Sequence, residues 1–125
     1  MNLENVLKSD FPNLYTSKHI GLDAIPGWNE IITELMQDIS GVQKASGVSF
    51  SIMQVKEKFG ALRVSVLPGK CPPDKKWAVH AVFALVSSAE FASQYACSEC
   101  GKYGQKRDGD WIQILCDKHY KEQNG

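Results

Sequence analysis

At 125 residues the chain has the size of one ordinary domain, enough for a single core and too little for two. Lysine plus arginine and aspartate plus glutamate each number 14, so the formal charge is zero and no global field draws the chain onto a polyanion; nucleic-acid binding would need a local patch. The opening MNLENVLKSDFP holds two acids and no apolar run, unlike a secretory signal, and the longest apolar stretch, WAVHAVFALV, is interrupted by His80 and far short of the roughly 20 residues of a membrane span, so a cytoplasmic setting is expected.

In chain order, LENVLKSDF reads as a short helix through Leu3, Val6, Leu7 and Phe11, ended by Pro12, and residues 1–27 otherwise form an irregular lead-in marked by Gly21, Pro26 and Gly27. From Trp28 the apolar positions Trp28, Ile31, Ile32, Leu35 and Ile39 follow a helical stripe, with Asn29, Glu30, Glu34, Gln37 and Asp38 on the other face and Gly41 or Gly47 as the stop. Val48, Phe50 and Ile52 then alternate with Ser49, Ser51 and Met53, and Leu62, Val64 and Val66 with Arg63 and Ser65. These are two strands of an antiparallel hairpin joined by KEKFG.

Asp74, after two prolines, is a candidate N-cap for a second long helix running up to Cys97. Apolar residues surround that helix on most sides from 77 to 86, which marks it as the central helix, packed on the hairpin and the first long helix. The expected fold class is α+β: an antiparallel hairpin or small sheet covered by two main helices (28–96), with residues 97–125 attached as part of one domain.

Three of the four cysteines fall in that last segment in the pattern Cys97-x2-Cys100, 15 residues, Cys116-x2-His119. Two intervening residues let each pair chelate one ion. Three thiolates with an imidazole suit zinc held for structure, because four protein ligands fill a tetrahedral site and leave no position for water or substrate. Between the pairs, QKRDGDWIQIL has a DG turn and reads as a small hairpin, and DKHYKEQ begins a helix; the arrangement is treble-clef-like, with a plain zinc ribbon as the alternative.

Lys102, Lys106 and Arg107 lie on or near the first ligand pair, diluted by Glu99, Asp108, Asp110 and Asp117. In KEKFG, Lys56, Lys58 and Arg63 offer an anion site, or with Glu57 a partner surface, while Phe59 is expected to fold back onto the core. A catalytic constellation is not visible: His80 reads as a core histidine, Cys71 has no base nearby in sequence, and His19 is isolated. No catalytic residue is assigned, and a small nuclease is a minor reading.

GW before an amphipathic helix, QVKEKFGALRV, a helix running through Glu90 and Ser93 into CSECG, and then W and LCDKH together resemble a group of small uncharacterised proteins of bacteria and their phages. The likeness covers most of residues 27–119. It implies a shared fold with a zinc-binding end and a phage or prophage setting, without an activity to carry over. Here LRVSV stands where an aromatic often follows LR, and Ala96 where a polar residue precedes the first cysteine. The expected function is that of a non-enzymatic interaction protein that binds and inhibits a host protein such as a defence component. The alternative is a nucleotide or nucleic-acid binder using the basic residues of the hairpin and the zinc knuckle.

Overall fold

The structure, a computed structural model, describes residues 3–14 and 25–124. Among them it is α+β, with four α-helices and two small antiparallel sheets. His19 and most of the expected irregular lead-in lie outside the described residues.

Helix α1 (Leu3–Asp10) ends before Pro12 and buries Leu7, with Leu3 and Phe11 packed beside the core. A single 3-10 turn over Pro26–Trp28 leads into α2 (Asn29–Ser46), which buries Ile32, Leu35, Met36 and Ile39 along its expected stripe and stops at Gly47. Gly41 lies within that helix and does not end it.

Strands β1 (Phe50–Lys58) and β2 (Ala61–Pro68) form the hairpin, but KEK continues β1 and the turn is reduced to Phe59 and Gly60. Both turn residues have left-handed backbones, with φ 55° and 84°, as a two-residue type I′ connection requires. The register shifts between Ile52 and Gln54, so Met53 and Gln54 are both exposed and Val55, rather than Gln54, follows Ile52 into the core. A bulge of this kind resets which residues face inward.

A two-stranded sheet leaves a row of backbone donors on each edge, and here side chains and loops meet them. On the β1 side, Phe50 N–H donates to Gln43 Oε1 at 2.8 Å and Ile52 N–H to the Leu14 carbonyl at 2.8 Å. On the β2 side, Leu62 N–H donates to Ser93 Oγ at 2.9 Å and Val64 N–H to Glu90 Oε2 at 3.0 Å. Ser93 is fully buried. Ser93→Ala is therefore expected to orphan a buried donor and cost about 1–3 kcal/mol, read as a lower urea midpoint with unchanged m-value.

Helix α3 (Lys76–Ser93) follows a 3-10 turn at Pro73–Lys75 and packs against α2 and β2. Asp74 does not cap it; the residue before the helix is Lys75 and makes no side-chain cap bond. Nor is α3 enclosed. It buries Ala78, Val82, Val86, Ala89 and Ser93 on one side and leaves Trp77, His80, Phe83 and Phe91 exposed on the other. His80 is thus a surface residue, because the core covers only one face of an apolar helix. No helix among the described residues is long and apolar enough to cross a membrane.

Candidate metal centre and the groove beside it

After α3 the chain turns back on itself. Cys97 N–H donates to the Lys102 carbonyl at 2.7 Å and Gly101 N–H to the Cys97 carbonyl at 2.8 Å, which closes a knuckle around the first ligand pair. Ser98 N–H reaches the Ile114 carbonyl at 2.8 Å, joining the knuckle to a second hairpin, β3 (Gln105–Arg107) and β4 (Gln113–Leu115). Cys116 follows β4 directly and precedes α4 (Asp117–Asn124). Its sulfur accepts the His119 backbone N–H at 3.4 Å, as an N-cap side chain does for the third helical residue. One turn of helix thereby holds the second ligand pair in place.

These elements gather Cys97, Cys100, Cys116 and His119 so that their ligand atoms all lie within 4.8 Å of one another. Cys100 Sγ is 3.9 Å from Cys116 Sγ, and His119 Nδ1 is 3.6 Å from Cys97 Sγ and 3.1 Å from Cys116 Sγ. A tetrahedral ion with metal–sulfur bonds of about 2.3 Å and metal–nitrogen bonds of about 2.0 Å sets its ligand atoms roughly 3.5–3.8 Å apart. The cluster is compatible with a metal site on that count.

The three thiols and the imidazole perturb one another's ionisation. Burial opposes ionisation of Cys97, but backbone hydrogen bonds from Cys116, Cys100 and Glu99 outweigh it and hold the thiol down to about 6. The His119 backbone N–H lowers the Cys116 thiol, and the Cys116 sulfur in turn raises His119. At Cys100 the Lys102 backbone favours the thiolate, yet desolvation and the neighbouring sulfurs of Cys97 and Cys116 prevail and raise it. Thiolate character is thus shared unequally across one small volume, as in sites that recruit a metal.

Glu122, which the sequence pattern did not single out, sets Oε2 3.8 Å from His119 Nε2, where a carboxylate can orient a ligating imidazole. Its place one helical turn after the histidine is the signal that was available. Cys71 is not part of the cluster; it is half-buried against the core, and its thiol donates to the Pro72 carbonyl at 3.4 Å.

Gly27 and Gly60 tie this element to the core. Gly27 N–H donates to the Ser98 carbonyl at 2.8 Å, and a Cβ on Gly27 would overlap the Cys97 carbonyl. Gly60 sits against Ile112, whose Cγ2 would lie 3.0 Å from an added Cβ.

The basic residues expected to contact a partner or an anion fall into different places. Arg107 is engaged in the fold: Nε donates to the Leu115 carbonyl at 3.2 Å, Nη2 pairs with Asp117 at 2.8 Å, and the guanidinium lies 4.4 Å from the Tyr120 ring centroid. With its side chain 17% exposed, it braces β3 against α4 rather than facing a partner. Glu57 turns to the hairpin, where Oε2 accepts the Gly60 N–H at 2.6 Å. Lys56 stands opposite Arg63 in the strand register, and Lys102 is exposed on the knuckle.

Lys58, Arg63 and Lys106 are brought together. They line a groove of about 440 Å³ between the hairpin and the element that carries the cysteine–histidine cluster, with Phe59, Tyr95 and Tyr103 beside them and no acidic residue in the lining. Phe59 does not fold onto the core; it is 73% exposed, and Tyr103 is 68% exposed. Lys58 Nζ lies 5.8 Å from the Phe59 ring centroid, and Phe91 braces Tyr95 with ring centroids 5.5 Å apart. Tyr95 and Tyr103 gave no sequence signal, since the contact that unites them with the hairpin is long-range.

No protein-family model, curated protein or solved structure matches the chain.

Proposed function

We propose that the chain is a small zinc-stabilised binding protein whose metal is structural and whose working surface is the groove between the hairpin and the metal element. Three thiolates with one imidazole favour zinc among common ions, and four protein ligands would close its tetrahedral shell against substrate. The knuckle, the β3–β4 hairpin and the helix that begins after Cys116 follow one another in the order of a treble-clef element.

The observation that carries the reading is the charge of the groove: Lys58, Arg63 and Lys106 converge without a carboxylate in a chain whose net charge is zero. Charge segregated in this way supports an anionic ligand. On heparin resin the zinc-loaded protein is expected to be retained at low salt and released as salt rises. Lys58→Glu with Arg63→Glu is expected to abolish retention while leaving the melting temperature within a few degrees of the parent. Unaltered retention of the double variant would refute the assignment of this surface.

A protein partner is the second reading, favoured by the exposed face of α3. Trp77 and Phe83 stand in solvent on one side of a helix whose other side builds the core, and apolar surface of this kind commonly marks an interaction site. In the phage or prophage setting that the motif resemblance implies, the partner would be a host protein bound and inhibited there. A pull-down from bacterial lysate that depends on Trp77 and Phe83, and not on Lys58 and Arg63, would favour this reading over the first.

A further inference from the structure

Resting on the anionic-ligand reading above, we infer that the groove takes single-stranded nucleic acid, with Phe59 at the hairpin tip as a platform on which an unpaired base stacks.

Phe59 stands in an unfavourable place. Left-handed φ at a type I′ turn suits asparagine, aspartate or glycine, and a bulky side chain there is a steric outlier. Phe59 occupies that position with φ 55° and gains no core contact in return, since its ring projects into solvent. Among the described residues its neighbour is the Lys58 ammonium, 5.8 Å from the ring centroid and itself exposed, a contact too weak to account for a phenyl ring in a strained turn. Strain retained at an exposed position points toward a ligand.

The surroundings supply the rest of the chemistry. A base stacked on an aromatic ring needs a cation near each adjoining phosphate, and Lys58 and Arg63 from the hairpin and Lys106 from β3 line the same groove as the ring. Tyr95 and Tyr103 offer two further aromatic faces from the segments on either side of the first cysteine pair. Three aromatic groups on three separate segments suit successive bases of a strand better than one nucleotide, which would call for a single closed slot. A duplex hides its base faces from such platforms, so the unpaired strand is the ligand that uses every feature of the groove.

Salt dependence and stacking can be measured separately. The zinc-loaded protein would be titrated into labelled single-stranded DNA and RNA of mixed sequence, the corresponding duplex, a mononucleotide and inorganic polyphosphate, with anisotropy as the readout. Three phosphate contacts predict a slope of about −2 for log K against log salt with a single strand, or about twentyfold weaker binding between roughly 50 and 200 mM salt. Phe59→Asn is expected to weaken single-strand binding by about 5- to 100-fold. The salt slope should stay the same and the melting temperature should be no lower, because asparagine accepts the turn conformation that phenylalanine strains against. Loss of folding therefore cannot mimic the effect.

Polyphosphate binding as tight as the single strand, with Phe59→Asn unaltered, would overturn the stacking inference while leaving an anion surface in place. Duplex or mononucleotide binding equal to that of the single strand would overturn it as well. Failure of every polyanion to bind at low salt would remove both the inference and the reading beneath it.

Discussion

In the zinc-loaded protein proposed above, removing the metal, by chelation or by Cys116→Ser, is expected to unfold residues 97–124 while leaving the helical core intact. The two parts differ in what holds them. The core buries side chains from α1, α2, β1, β2 and α3 in one cluster, including Ile32, Met36, Ile39, Phe50, Ile52 and Leu62. Beyond Cys97 the buried apolar side chains among the described residues are Ile114 and Leu115, the strands are three residues each, and α4 buries no residue. Two such side chains supply only a few kcal/mol at about 1.5–3 kcal/mol apiece, far below the conformational entropy of ordering the segment. Zinc binding in small finger peptides is worth about 10–16 kcal/mol, enough to decide the outcome. In hydrogen exchange, amides of 97–124 should lose protection on metal removal, and those of Ile32, Met36 and Leu62 should keep it. Retained protection at Ser98 and Tyr120 after the metal has left would show that packing, and not the ion, holds the element.

This division also explains what could be read from the sequence. The clustering of Cys97, Cys100, Cys116 and His119 was legible because the signal is local: a two-residue spacing within each pair is what one ion would require, whatever the rest of the chain does. The α2 stripe was legible for a similar reason, since a helix of period 3.6 with one apolar face needs only a surface to pack on. What escaped depends on contacts between distant segments or on local exceptions. The bulge beside Met53 moves Val55 into the core, which alternation alone cannot anticipate. The exposed side of α3 looks buried in sequence because apolar periodicity records hydrophobicity and not the presence of a partner. Phe59 was expected inside because aromatic residues generally are, whereas the turn geometry turns it outward. Glu90 and Ser93, known at first only from the resemblance, acquire a physical role as acceptors for the open edge of β2. Of the basic residues read separately on the hairpin and on the knuckle, Lys58, Arg63 and Lys106 share the groove and Arg107 is committed to the fold.

A second large effect is expected at Gly27, where the core and the metal element meet. The glycine donates its N–H to Ser98, and its Cα faces the carbonyl of Cys97 so closely that a methyl group would overlap that oxygen and lie 2.8 Å from the Ser98 carbonyl carbon. Neither neighbour is the end of a flexible side chain; both are backbone of the knuckle. Gly27→Ala must therefore separate the Pro26–Trp28 turn from the knuckle or distort one of them, at a cost of about 3 kcal/mol, the upper part of the usual range for overpacking. Gly41→Ala supplies the contrast. Gly41 lies in α2 with nothing within 4 Å of an added Cβ, so alanine should stabilise the helix by about 0.5–1 kcal/mol. Urea denaturation of the two variants should move the midpoint in opposite directions. The contact is with the backbone carbonyl of Cys97 and not with its sulfur, and the four candidate ligand atoms gather within the 97–119 segment itself, so Gly27→Ala should still bind zinc stoichiometrically. The groove, by contrast, takes Lys58 and Arg63 from the hairpin and Lys106 from the metal element, and it keeps its shape only while the two are docked. Zinc retained together with weakened anion binding is the expected signature of a metal element that has come loose from the core. A variant that melts and binds as the parent does would show that the glycine contact does not hold them together.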